Sequence, residues 1–358
     1  SLVNAWYESV SGYTTTGATI LTNVEAVPKG LLLWRSSTHF LGGIGVVVFM
    51  LFVLPTVSVF RMRLSKVEIS ALSKENYKFK TQETIKVISY VYVGLTVIQT
   101  ICLMLAGMNF FDALNHAFST VSTGGFSTRN ESIKSFHSFP IELIIMIFMY
   151  LSGLHFGLLY ATIIGRTTNI FKSSVTKFYT ATLLIAGFVV SADLLITGQL
   201  NSWSEALRQS FFQVISYAST TGFATTDTSV WPHVAILFLI YLSFQCACSG
   251  STAGGLKSDR VLIFFKTLKA QMQKTIHPNA VIPIRVGKHI IEHEMAGSVT
   301  LFIVLYILIV FIVTVLLSIM GVNFMDAFSG SLANMSNVGP GFGSIGSLAN
   351  YSAFPAVG

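Results

Sequence analysis

Apolar residues in this chain come in long unbroken stretches, not at the spacing of an amphipathic helix or strand. The stretches cover 31–60, 85–108, 141–164, 178–195, 234–248 and 296–320. Several reach the roughly 20 residues that a helix needs to cross the hydrocarbon core of a bilayer. A helix lying on a soluble core keeps a polar stripe, and 301–319 has none. The pattern predicts an all-α polytopic membrane protein.

Between the stretches lie four segments that resemble one another. They are NAWYESVSGYTTTGAT at 4–19, DALNHAFSTVSTGGFST at 112–128, EALRQSFFQVISYASTTGFATT at 205–226 and DAFSGSLANMSNVGPGFGSI at 326–345. Each opens on an amide or acid followed by alanine: Asn4, Asp112, Glu205 and Asp326. Each runs through small and apolar residues to a glycine, aligned as Gly17, Gly124, Gly222 and Gly339, at separations of 107, 98 and 117 residues. The opener-to-glycine distances are 13, 12, 17 and 13, so the third segment is longer by about one helical turn. Openers of this kind suit helix N-termini and are expected as caps. The stretch to the glycine is too short to span a bilayer, which predicts a short helix that enters the membrane and returns as a loop. Small polar residues there would be costly in lipid and make sense facing a water-filled pore.

Spans and loops combine into repeated M1–pore helix/loop–M2 units in a pseudo-four-fold arrangement around one pore. The expected division is 1–60 for the first unit (pore loop and second span), 61–165 for the second, 166–275 for the third and 276–358 for the fourth. Ser1 is not an initiator and the first motif begins at once, so the sequence reads as a fragment lacking both ends.

Charge fits the same scheme. The chain is 52% hydrophobic, only 10% charged, and carries a net charge of +7. Basic residues concentrate in alternate connections: Arg61, Arg63, Lys66, Lys74, Lys78, Lys80 and Lys86, then Arg166, Lys172 and Lys177, then Lys257, Arg260, Lys266, Lys269, Lys274, Arg285 and Lys288. The positive-inside rule places 61–86, 166–177 and 257–288 in the cytoplasm. A basic membrane surface accounts for the charge without nucleic acid. The cysteines Cys102, Cys246 and Cys248 form no disulfide pattern and read as packing residues.

Selecting potassium requires backbone carbonyls that replace the hydration shell of a large cation. Aiming successive carbonyls inward takes conformations that favour glycine. Four glycine-centred loops in one chain would supply such a filter, through Thr15, Thr16, Gly17, Thr123, Gly124, Thr220, Thr221, Gly222, Asn337, Val338 and Gly339. The residues taken to follow the glycines differ (Ala18, Gly125, Phe223, Pro340), so fewer sites and weaker discrimination against sodium are expected than in a homotetrameric channel.

These loops resemble the Trk/Ktr/HKT superfamily of potassium transporters, closest to its bacterial TrkH branch. The TTTGAT, STGGFST, STTGFATTD and NVGPGFG loops carry the resemblance. So do His39-Phe40-Leu41-Gly42-Gly43-Ile44-Gly45, where the family usually has Trp at the Phe40 position, and Gly250-Ser251-Thr252-Ala253-Gly254-Gly255-Leu256-Lys257. The resemblance implies potassium uptake, a multi-pass protein of the bacterial inner membrane, a homodimer with one pore per protomer, and a cytoplasmic nucleotide-binding regulatory subunit. It implies an intramembrane gate at Ser249, Gly250, Ser251, Thr252, Ala253, Gly254, Gly255 and Lys257, where the glycines also disfavour a continuous helix. A serine in place of the first filter glycine admits sodium in the family, so Gly17 favours potassium. K⁺ is the transported ion, and no cofactor or enzymatic role is expected. A sodium-coupled or weakly selective cation transporter of the same fold stays open, and a membrane-embedded hydrolase is the remote alternative.

Two motifs mislead. The glycine-rich 250–258 segment looks like a phosphate loop, but Leu256 separates Gly255 from Lys257, where glycine and lysine must be adjacent. His289, Glu292 and His293 give an H-x-x-E-H order, expected to be an interfacial collar without a third ligand. Lys257 and Arg260 are expected at the cytoplasmic exit or snorkelling to headgroups.

Overall fold

The structure is a computed structural model and describes residues 2–53, 81–165, 170–287 and 289–355. Of the basic residues above, Arg61 to Lys80, Arg166 and Lys288 lie outside the described residues.

The described residues form twelve α-helices. In chain order they are α1 (Leu2–Tyr13), α2 (Lys29–Val53), α3 (Thr81–Leu105), α4 (Phe110–Val121), α5 (Phe139–Ser152), α6 (Phe156–Ile163), α7 (Ser174–Ile196), α8 (Trp203–Ala218), α9 (His233–Gln245), α10 (Ser258–Ile276), α11 (His293–Ile319) and α12 (Phe324–Ser336). An antiparallel hairpin of β1 (Ile284–Val286) and β2 (His289–Ile291) precedes α11. His289 therefore sits in a strand and His293 opens a helix, so the H-x-x-E-H residues share no helical face.

The polarity of the molecule is inverted. Ser119, Thr120, Ser122, Thr123, Ser216, Ser219, Thr220 and Thr221 are fully buried. Leu301, Val304, Leu305, Leu308 and Phe311 of α11 stand exposed. Such a surface is stable against lipid, where helices satisfy their own backbone groups. Helix α3 from Lys86, α7 and α11 are each long and apolar enough to cross a membrane.

The stretch 141–164, expected as one span, is broken. Helices α5 and α6 meet at 103° across Gly153–His155. No proline marks the break. His155 turns its Nδ1 to accept the Gly157 and Leu158 N–H groups (3.1 and 3.3 Å), which caps α6. Two backbone groups at the break pair with residues 248 and 250: Cys248 N–H donates to Gly153 O (3.0 Å) and Phe156 N–H to Gly250 O (3.0 Å).

Helices α1, α4, α8 and α12, which carry the four similar segments, have 12, 12, 16 and 13 residues, with the extra turn in the third as expected. The acidic openers, however, are not the caps. Asn109 and Asn323 cap α4 and α12, accepting from Asp112 N–H (2.9 Å) and Met325 N–H (3.2 Å). Ser202 holds the cap position of α8, which places Asp112, Glu205 and Asp326 at the third helical residue. There they still complement the dipole. Two of them also tie the returning strand: Asp112 accepts from Thr128 (2.6 Å) and Arg129 (2.9 Å), and Asp326 from the Ser344 N–H (2.8 Å) and hydroxyl (2.7 Å).

Candidate functional site

All four of these helices, α1, α4, α8 and α12, end in the same way. The residue after the last turn is left-handed: Thr15 (φ 59°), Thr123 (57°), Thr220 (59°) and Asn337 (65°). Its N–H returns three residues, to the carbonyls of Gly12, Thr120, Tyr217 and Asn334. The next N–H returns five, from Thr16 to Ser11 (2.9 Å), Gly124 to Ser119 (2.8 Å), Thr221 to Ser216 (3.0 Å) and Val338 to Ala333 (2.9 Å). This is the Schellman stop, in which glycine is the usual left-handed residue. Here three threonines and an asparagine carry it. A β-branched residue in that region stores backbone strain, a feature concentrated at functional sites.

The next residue in each loop is a glycine with positive φ: Gly17 (78°), Gly125 (77°), Gly222 (77°) and Gly339 (92°). The second loop thus registers one residue later than the sequence alignment placed it. Gly125, not Gly124, is the equivalent glycine, and Gly124 is the equivalent of Thr16, Thr221 and Val338. The residues after the glycines are Ala18, Phe126, Phe223 and Pro340.

These glycines close a ring. A Cβ on Gly17 would run into the carbonyl oxygen of Gly124, one on Gly125 into that of Thr221, one on Gly222 into that of Val338, and one on Gly339 into that of Thr16. Loop one therefore abuts loop two, two abuts three, three abuts four, and four returns to one. Among the described residues no hydrogen-bond donor reaches the carbonyls of Thr16, Gly124, Thr221 or Val338. Neighbouring carbonyls are held instead: Ser11 donates to Ala18 O (2.6 Å), Ser216 to Phe223 O (2.7 Å) and Tyr351 to Gly339 O (2.7 Å). Asn337 links loops four and one, accepting from the Thr16 hydroxyl (2.6 Å) and donating to Thr14 O (2.6 Å).

Beyond the glycines lies a cavity of about 130 Å³, lined by all four of them together with Arg35 and Arg129. Both cations are paired. Arg35 meets Glu8 (2.6 Å) and lies over the Phe126 ring (3.4 Å), and Arg129 meets Asp112 (2.9 Å).

On the helix side of the ring, residues 246–257 interrupt what would otherwise continue α9 into α10. Positive-φ residues Cys246 (φ 52°) and Lys257 (71°) mark its ends. The neck is tied, with Ser258 N–H on Ala247 O (2.8 Å), the Ser258 hydroxyl on Cys246 O (2.7 Å) and Ser249 N–H on the Asp259 carboxylate (2.8 Å). Ser251 bonds Cys248 O within the segment (2.6 Å), and Lys257 donates to Ala253 O. The tip reaches three of the four helix ends: Thr252 donates to Val121 O (2.9 Å), Gly254 N–H to the Thr220 hydroxyl (3.0 Å), and a Cβ on Gly254 would strike Ser336 O and Asn337. Gly250 and Gly255 have positive φ and lie against the His155 ring and Cys246. Arg260, expected at an exit or in headgroups, is buried over the Phe302 ring at 4.3 Å.

An inverted polarity, three helices among the described residues long and apolar enough to cross a membrane, and a closed ring of four returning loops define an all-α membrane protein built of helix–loop units around a common centre. The profile of the TrkH cation transport protein family matches residues 1–354. The chain belongs to that family, whose bacterial members reside in the inner membrane. It is 37% identical over 361 residues to the Trk system potassium uptake protein TrkH of Halomonas elongata, covering 100% of this chain and 74% of that protein. It is 35% identical to the protein of the same description from Escherichia coli K12, over 96% of this chain and 71% of the relative. The crystal structure of the potassium transporter TrkH from Vibrio parahaemolyticus superposes with a TM-score of 0.88 at 30% identity, covering 100% of this chain and 73% of that one.

Proposed function

We propose that the chain is a potassium-uptake subunit whose filter is the ring formed by residues 15–17, 123–125, 220–222 and 337–339. The observation that carries this reading is the cyclic contact of four glycines with four carbonyls that accept no hydrogen bond from the described residues. Such carbonyls are available to replace water around a potassium ion. The helix C-termini behind them add partial negative charge. The relatives named as potassium uptake proteins support the choice of ion. Residues 246–257 act as the gate beneath the filter, and the four units divide near 1–60, 61–165, 166–275 and 276–358. The protein works as a homodimer, and its exposed lysines at Lys86, Lys172, Lys177, Lys266, Lys269 and Lys274 face a cytoplasmic nucleotide-binding regulatory subunit.

Isotope uptake into potassium-depleted cells or proteoliposomes tests this reading. Rubidium is expected to enter faster than sodium. Equal sodium and rubidium flux would replace it with the weakly selective transporter, and no flux would remove it.

The paired arginines of the outer cavity give a second expectation. In the Glu8→Gln protein the Arg35 charge stands unbalanced beside the cation path. Rubidium uptake is expected to fall about threefold at low ionic strength and less at high salt, where the charge is screened. Uptake indifferent to Glu8 at low salt would show that this charge does not face the path.

A further inference from the structure

The four loops share a backbone but not what stands behind it. The residue before the ring glycine is Thr16, Thr221 or Val338 in three loops, and Gly124 in the second. In loops one and three its hydroxyl is clasped by one two residues earlier, Thr14 to Thr16 (2.8 Å) and Ser219 to Thr221 (2.8 Å). In loop four Val338 is fully buried. Gly124 has neither device. Its φ is not in the positive region, so the backbone there does not demand a glycine.

What occupies the place of the side chain is the ring of His39, delivered by α2. A Cβ on Gly124 would lie 2.6 Å from both Cγ and Cε1 of that ring, and closer still to Nδ1. The imidazole is fully buried. It stacks on Phe126, the residue after Gly125, at 3.9 Å and 17°. Its Nδ1 lies 3.3 Å from the Ser119 hydroxyl, and the Ser119 carbonyl accepts the N–H groups of Gly124 (2.8 Å) and Gly125 (3.3 Å). One ring therefore braces the residue before the glycine, the residue after it and the helix turn that caps both. The next turn of α2 makes the approach possible: a Cβ on Gly42 would strike Tyr13 O, and one on Gly43 would come within 2.9 Å of Ser122 Cβ.

We infer that His39 is a positioning residue of the second filter loop, supplying from another helix the side chain that Gly124 lacks. It thereby fixes the Gly124 carbonyl against which Gly17 packs. The inference rests on the filter reading above.

The test is a reciprocal exchange, read as the rubidium-to-sodium flux ratio in proteoliposomes of the full-length protein. A ratio taken within one preparation does not depend on how much protein inserts. His39→Ala leaves a void behind Gly124, and Gly124→Thr drives a side chain into the ring. Each is expected to lower discrimination about tenfold, the scale of coupling between packed neighbours. The double variant rebuilds the arrangement of loops one and three, with the Ser122 hydroxyl two residues upstream as Thr14 and Ser219 are. Its ratio is expected within about threefold of the unmodified protein. Gly124→Ala paired with His39→Ala is a smaller exchange with the same expectation. A double variant no better than its worse parent, or full discrimination in His39→Ala, overturns the inference. Gly222→Ala in the same assay separates the two claims. If it leaves discrimination intact, the filter reading itself fails; if it collapses discrimination while the exchange shows no rescue, only the role of His39 is lost.

Discussion

Gly125→Ala is expected to reduce rubidium uptake by about a hundredfold, and Gly124→Ala by far less, although the two glycines are adjacent. At Gly125 a methyl group meets two obstacles together. The φ of 77° costs an L-residue roughly 1–2 kcal/mol, and the Cβ falls on the Thr221 carbonyl oxygen, an overpacking of about 1–3 kcal/mol. Since each 1.4 kcal/mol is about tenfold, the sum is of the order of a hundredfold. The chain can relieve it only by displacing the carbonyl proposed to hold the ion. At Gly124 the backbone is unstrained and the obstacle is the His39 side chain, not a carbonyl of the ring. Gly17, Gly222 and Gly339 should behave like Gly125. Comparable losses at Gly124 and Gly125 in initial-rate uptake would mean that the loop register is wrong.

The second large effect concerns the gate and has the opposite sign. Thr252→Val removes the hydroxyl that ties the tip of the 246–257 segment to Val121 O at the end of α4. A hydrogen bond of this kind contributes about 0.5–1.5 kcal/mol. If it is made only while the segment blocks the path, its loss raises the open fraction about two- to tenfold. Rubidium flux should rise accordingly while the rubidium-to-sodium ratio stays constant, because the filter loops are untouched. Ser251→Ala is the control. Its hydroxyl bonds Cys248 O inside the segment, so its loss should not increase flux. A Thr252→Val protein with unchanged or lower flux would assign the segment a purely structural role.

Much of this arrangement can be read from the chain before any coordinates. Unbroken apolar runs locate α3, α7 and α11, because a lipid-facing helix needs no polar stripe. The long third segment announces the extra turn of α8. The cluster of Gly250, Gly254 and Gly255 announces the interruption after α9. The register of the second loop is harder, because Gly124 and Gly125 are both candidates. One clue was present: the opener-to-glycine distances become 13, 13, 17 and 13 once Gly125 is chosen. The helix stops were hidden for a different reason. A Schellman stop is sought at glycine, and here it falls on Thr15, Thr123, Thr220 and Asn337. The break at Gly153–His155 is not marked by a proline, and two of its backbone groups pair with Cys248 and Gly250, far along the chain. The seat of His39 behind Gly124 spans 85 residues and is a purely tertiary fact.

The most direct measurement is anomalous diffraction from crystals of the full-length protein grown in rubidium. A rubidium peak should lie on the axis of the ring, about 3 Å from the carbonyl oxygens of Thr16, Gly124, Thr221 and Val338, consistent with carbonyls standing in for a hydration shell. Rubidium bound elsewhere, with the space between those four carbonyls empty, would contradict the account.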